Sequence, residues 1–358
     1  MGIKSLNTLI RNNTIKGEQK VHLSNFKGNI IAVDTNLYLY KFLYGNKNHI
    51  NGIFFMINKL KKFGIIPIFV LDGKPPEEKN SKIKERKLSK NKLKFRVSEL
   101  QKNLISDKLS ENDILEIQHK IESIQKRILY VDQDVIDKTI QLFNLMGVAY
   151  IQADCEAEQY CAKLCRLNLV NAVISEDSDT IACGSKCVIR NFSNKDDYVL
   201  VNYLDEILYE LEISYTTFID LCILLGNDYN NRLKGYTIEQ IFNMIKKYKT
   251  IDNLIINNLI YNLNFDYKSV YSILNLDFVK PDIVKLASQL NKKFDLENLE
   301  KFLKDFSDID EKTFKHRLNL MFKINKPFIL QKKKDNLRVY KIPHFTDKKN
   351  LINNQTLV

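Results

Sequence analysis

Asn29-Ile-Ile-Ala-Val-Asp34 is the stretch from which the fold can be read. A short apolar run that ends abruptly on a carboxylate suits a strand buried on both faces of a sheet. The same design returns at Ile66-Pro-Ile-Phe-Val-Leu-Asp72. Residues 148–151 and 172–175 read as a third and a fourth strand, and 187–189 as a fifth. Helical periodicity separates them over 37–44, 53–63, 134–146 and 156–167. Strand alternating with helix predicts an α/β fold, a central and mostly parallel sheet with helices on both faces. In such sheets a ligand crevice lies beyond the carboxyl ends of the strands.

Acids collect where that crevice should be. Asp34 and Asp72 follow strands directly, and Asp177 and Asp179 come just after the fourth. Glu156 and Glu158 fall in the first turns of the helix after the third strand, with Asp154 as the expected N-cap. Asp228 stands in the break after an apolar helix over 216–225. Any one of these could be an ordinary cap or turn, and acids in a first helical turn are favoured by the macrodipole alone. Four of them, Asp34, Asp72, Asp177 and Asp179, at one sheet edge exceed that habit. Oxygen-only ligands suit Mg2+ or Mn2+, and a pair of such cations is the standard apparatus for in-line attack on a phosphodiester. The Asp-x-Asp of 177–179 lacks the Gly and terminal Glu of an EF-hand loop. No GxxxxGK[ST] loop is present, which argues against ATP hydrolysis.

The remainder of the chain is basic. Fifty-five Lys and Arg stand against 43 Asp and Glu over 358 residues, a formal net charge of +12. That surplus fits a polyanionic partner, although a chain rich in Ile, Asn and Lys throughout would carry much of it anyway. The longest apolar run, 63–71, is too short to span a bilayer, and no signal-peptide pattern occurs. Leu6 stands where the myristoylation pattern needs Ser or Thr. An intracellular, non-secreted protein without a membrane role is expected. Six Cys without a Cys-x-x-Cys pair argue for reduced, mostly buried thiols rather than zinc.

Residues 74–132 lose the strand signal. No Gly or Pro occurs from 77 to 146, and ten Lys or Arg fall within 79–104. A long helical insertion is expected there. Lys79, Lys82, Arg86 and Lys90 share one helical face, and their sign opposes the acidic cluster. A solvated charged face is the plainer reading. The position directly after Asp72 favours nucleic-acid contact. A helix is expected over 237–248. Beyond 250 the pattern is helical or irregular, and residues 331–358, with Gln331-Lys332-Lys333-Lys334, read as a basic flexible tail.

Six ordered motifs within residues 1–250 together resemble the structure-specific 5′-nucleases, and most closely the flap endonucleases, on a PIN-like nuclease fold. They are Met1-Gly-Ile-Lys-Ser-Leu6, Ile31-Ala-Val-Asp34, Val70-Leu-Asp-Gly-Lys-Pro-Pro76, Cys155-Glu-Ala-Glu158, Glu176-Asp-Ser-Asp179 and Asp220-Leu-Cys-Ile-Leu-Leu-Gly-Asn-Asp-Tyr229. The resemblance implies a nuclease domain over 1–250 and a helical extension over 251–330. It makes 74–132 an arch that a free 5′ end threads, and 216–249 a helix–two-turn–helix. It implies that the seven acids hold two Mg2+ ions, for which Mn2+ can substitute. Lys79 and Arg86 would steady the scissile phosphate, Tyr40 would stack on a base at the cleavage site, and the Gly2 amine would lie near the centre. Lys82, Lys90, Gly235 and Thr237 are the further DNA contacts expected. Gly235 is kept from the family's duplex-gripping hairpin, but Thr237, Ile238 and Glu239 replace its Gly, Pro and Lys. The resemblance therefore implies a weakened duplex grip there and carries over no K+ site. No sliding-clamp docking motif is found near the C-terminus.

The expected function is cleavage of 5′ flaps or junctions in DNA replication and repair, in the nucleus or wherever DNA is copied, by a monomer that also accepts RNA-containing 5′ ends. A 5′-to-3′ exonuclease or a junction or bubble endonuclease could use the same core. An inactive nucleic-acid-binding scaffold would be expected to lose acids, and a membrane-surface protein would leave them unexplained.

Overall fold

The computed structural model describes residues 2–3, 5–46, 48–104, 110–261, 263–290 and 292–324. The expected basic tail, and any clamp-docking segment in it, lie outside these residues. Strands β1 (Glu18–His22), β2 (Ile30–Asp34), β3 (Ile66–Leu71), β4 (Ala149–Gln152), β5 (Ala172–Ile174), β6 (Cys187–Arg190) and β7 (Tyr198–Tyr203) form one sheet in the order β1-β7-β6-β5-β2-β3-β4. The five strands from β6 to β4 run parallel. The other two add an antiparallel edge. Every residue of β2 is buried, as the unbroken apolar run requires of a central strand.

Three helices, α1 (Leu6–Asn13), α2 (Thr35–Asn46) and α3 (His49–Lys62), lie within the first 65 residues. The insertion holds α4 (Asn80–Asn103) and α5 (Glu111–Ile128). Then come α6 (Gln133–Leu145), α7 (Ala157–Arg166), α8 (Asp179–Ala182), α9 (Leu204–Leu211), α10 (Tyr215–Leu225) and α11 (Ile238–Tyr248). The C-terminal part adds α12 (Ile251–Ile256), α13 (Tyr267–Asn275), α14 (Ile283–Gln289), α15 (Leu296–Phe306) and α16 (Glu311–Ile324).

Strand alternation divides the core in two. Ile30 and Ala32 face a layer with α1 and α7–α14, while Ile31 and Val33 face α2, α3, α6, α15 and α16. The helices of residues 251–324 pack into both layers. Leu254 and Leu274 complete one layer, and Phe302 and Phe314 complete the other. Among the described residues no helix is long and apolar enough to cross a membrane. All six Cys are free, five of them buried.

The insertion is a helical pair with a small seam of its own. Val97, Ile121 and Ile124 are buried between the two helices, flanked by Leu93, Leu100, Ile117 and Ile128. Val97 is the one residue of α4 that is buried apart from Lys79 just before it. The link from α10 to α11 turns at Gly235, whose φ of +85° suits glycine. Thr237 and Gln240 then form a capping box that starts α11.

Candidate active site

Topology sets the place. From β2 the chain steps to β3 and β4 on one side, then returns to β5 and β6 on the other. The switch point lies beyond the carboxyl ends of β2 and β5, where an open α/β sheet leaves a crevice. Asp34 is the last residue of β2 and is 3% exposed. Ser175, just past β5, donates its Oγ to Asp34 Oδ2 at 3.0 Å. Asp177 and Asp179 follow, and the Asp179 amide donates to Asp177 Oδ1 at 3.0 Å.

Asp72 follows β3 and accepts from the Ala157 amide at 2.8 Å. This corrects one expectation. The first free amide of α7 is satisfied by a carboxylate brought from another strand, not by Asp154, which is exposed. Glu156 occupies the N-cap position without a side-chain cap bond. Its carboxylate turns elsewhere: Tyr229 donates its hydroxyl to Glu156 Oε2 at 2.8 Å, and Gln159 donates to the Tyr229 oxygen at 2.9 Å. Tyr229, Gln159 and Ser175 are supporting residues that pattern reading passed over. Tyr229 stands beside Asp228 in a motif already singled out, which was the available signal.

Opposing charge enters from the insertion. The Lys79 ammonium bonds Glu156 Oε1 and lies 3.3 Å from Asp228 Oδ2 and 3.8 Å from Glu158 Oε1. Lys79 is 7% exposed, so it is a buried counter-charge and not a surface lysine. Arg86, two turns along α4, reaches Asp228 Oδ2 at 2.8 Å.

Burial pushes Asp34 up to about 8, helped by the nearby charges of Asp72 and Asp177. Burial likewise raises Asp72, Glu158, Asp177 and Asp179, and neighbouring acids add to each. Asp228 goes the other way: burial would raise it, but Lys79 and Arg86 outweigh burial and hold it below the usual range. Asp177 feels the charge of Asp228 and adds to that on Asp34, so acids far apart in sequence are neighbours here. Glu176, inside the same motif, is drawn off by Tyr38, Lys41 and the Asn191 amide.

Among the described residues no three His, Cys, Asp or Glu side chains form a ready-made metal cage. The donor set nonetheless suits a hard cation. Glu158 Oε1 and both carboxylate oxygens of Asp179 are buried without a hydrogen-bond donor. Buried carboxylate oxygens in that condition call for a positive partner.

Gly2 approaches the same place. A Cβ there would fall 2.0 Å from Asp177 Oδ1 and 2.8 Å from Asp179 Oδ1, and its φ is +77°. The remaining expected residues stand apart. Tyr40 is exposed on α2, Lys82 pairs with Glu85 at 3.8 Å, and Lys90 donates to the Leu129 carbonyl at 2.8 Å. Gly235 and Thr237 belong to the α10–α11 link.

Residues 1–93 match the XPG N-terminal domain and residues 147–228 the XPG I-region, which leaves most of the α4–α5 insertion between them. The chain is 36% identical over 271 residues to flap endonuclease 1 of Enterocytozoon bieneusi, covering 71% of this chain and 72% of that one. Flap endonuclease 1 of Entamoeba histolytica is 32% identical over 327 residues, 85% of this chain and 82% of that one. Among solved structures, the catalytic core of Rad2 in complex with a DNA substrate superposes with a TM-score of 0.63 at 25% identity, covering 91% of this chain and 99% of that one. With its acids gathered at the switch point and relatives of this similarity over most of its length, the chain belongs to the flap endonuclease/XPG family and is a structure-specific 5′-nuclease, a phosphodiester hydrolase of DNA replication and repair.

Proposed function

We propose that the chain is a Mg2+-dependent nuclease that cuts 5′ flaps. The observation that carries this reading is the buried carboxylate centre whose Glu158 and Asp179 oxygens lack donors, set at the root of the α4–α5 insertion. Asp34, Asp72, Glu156, Glu158, Asp177, Asp179 and Asp228 would hold two Mg2+ ions, or Mn2+ in their place. Bound divalent cations supply an activated water and charge stabilisation for the leaving oxygen. The chain's own residues do the rest. Ser175, Tyr229 and the Ala157 amide fix three of the carboxylates in orientation. Lys79 and Arg86 bring positive charge to the place where the scissile phosphate would develop negative charge. Tyr40 offers a ring for the base beside the cut. Selectivity for a free 5′ end would come from the helical pair, a matter of shape and not of sequence.

The nucleus, a monomeric state and acceptance of RNA-containing 5′ ends go with this reading. Its test is cleavage of one end-labelled panel, comprising single flap, double flap, nick, bubble and four-way junction, with Mg2+. Preferred cutting of the single or double flap supports it. Preference for the four-way junction or the bubble replaces flap cutting with junction cutting. Stepwise shortening from a nick makes the protein an exonuclease. Cleavage of none of them would leave a binding scaffold.

A further inference from the structure

At the root of the insertion two exposed tyrosines share one lysine. Tyr40 on α2 is 41% exposed, and Tyr130, in the link from α5 to α6, is 43% exposed. The Lys90 ammonium lies 5.6 Å from the Tyr40 ring centre and 3.8 Å from that of Tyr130. Lys94, one turn further along α4, lies 5.1 Å from the Tyr130 ring. Arg86, Lys90 and Lys94 fall at i, i+4 and i+8, so one row of positive charge leads outward from Asp228 in steps of about 6 Å. Burial and then the charges of Arg86 and Lys94 lower the Lys90 pKa.

We infer that Tyr130, with Lys90 and Lys94, is a stacking site for a base of the single-stranded 5′ segment, one step further from the carboxylates than Tyr40. This rests on the flap-cutting reading above. An open ring beside cations is how proteins hold single strands without regard to sequence: bases stack on the ring and phosphates meet the lysines. A purely structural brace would need less. The Lys90 hydrogen bond to Leu129 already ties α4 to this link, and the apolar seam lies elsewhere, at Val97 and Ile124. Neither calls for a large aromatic ring left open to solvent.

The test compares two flapped duplexes in chelator, where nothing is cut. One carries ordinary thymidines in its 5′ flap. The other carries abasic sugars, with the same charge and length. Fluorescence anisotropy gives the affinity of the full chain for each. One stacked base corresponds to about 5- to 150-fold tighter binding of the base-bearing flap by the wild type. Tyr130→Ala should lower that ratio by at least about 5-fold, and Tyr130→Phe should keep it. A wild-type ratio near one overturns the inference, as does a ratio unchanged in Tyr130→Ala or lost equally in Tyr130→Phe. Thermal melting of both variants, with values near wild type, shows that the ratio reports on binding. Failure of the flap reading itself would appear separately, as unaltered protein that leaves the single flap uncut in Mg2+.

Discussion

Replacing Lys79 by Ala removes the charge that sits among three buried carboxylates. Its ammonium bonds Glu156 and lies within 4.0 Å of Glu158 and Asp228, with the lysine 7% exposed. Taking one partner from a buried ion pair typically costs about 3–5 kcal/mol, because the remaining charge is left without compensation. Arg86 still reaches Asp228, so the loss falls on Glu156, the carboxylate that the ammonium bonds directly. In chelator, Lys79→Ala should therefore melt roughly 4–7 °C below the wild type. Millimolar Mg2+ should then close most of that gap. Cations held by the same carboxylates replace the missing ammonium, and they no longer compete with it. The variant should accordingly bind Mg2+ more tightly than the wild type in a titration without DNA. On flap substrate, kcat should fall about 10²–10³-fold, the loss expected for one electrostatic donor. Scanning calorimetry in chelator and in Mg2+ decides the matter. An equal deficit in both conditions would show that these carboxylates take no cation. A kcat unchanged beside a weaker, salt-sensitive affinity would reduce Lys79 to a general phosphate contact.

Asp179→Ala should abolish cutting while flap binding persists, since a carboxylate that would repel phosphate leaves together with its cation; loss of binding in parallel with activity would count against that role. Without divalent cations, stability should fall as pH rises from about 4 to about 8. Asp34 and four neighbouring acids hold protons in the folded state that the unfolded chain releases above about 4, so this contribution is complete at low pH and lost through the raised folded values. Urea midpoints at several pH values, which should flatten when Mg2+ is added, measure it. Glu239→Lys, at an exposed site in the first turn of α11, should tighten flap binding and steepen its salt dependence, and an unchanged salt slope would place that turn away from DNA.

What the sequence revealed and what it hid follow from burial. The central strands were legible because both of their faces are covered, so the apolar run is unbroken and the closing acid stands out. β1 was missed: it is an edge strand, Glu-Gln-Lys-Val-His, with only Val21 buried. β7 pairs antiparallel beside it and buries an irregular subset of its residues. α1 went unread as well, since it starts after Ser5 at φ +69° without a side-chain cap and buries only Leu6, Leu9 and Ile10. Pattern reading sees covered faces and capped ends, and these elements offer neither.

At the site the same reasoning separates two kinds of residue. The acids could be read locally because each closes an apolar element. Their partners could not, because each partnership closes over a long loop: Ser175 with Asp34, Ala157 with Asp72, Tyr229 with Glu156. Lys79 shows the limit most clearly. In the sequence it is the first of a lysine row, and an amphipathic reading makes it a surface charge. In the fold it turns inward, because the short 3-10 turn before α4 sets it against three carboxylates instead of water. Lys90, on the same expected face, turns to Leu129 and the Tyr130 ring, while Lys82 pairs with Glu85. One helical stripe thus divides into a buried counter-charge, a guanidinium at the rim and a lysine shared by two rings. Helical spacing fixes which residues share a face. What each charge on that face does depends on how far it stands from the carboxylates, and that is a property of the sheet's switch point, not of the helix.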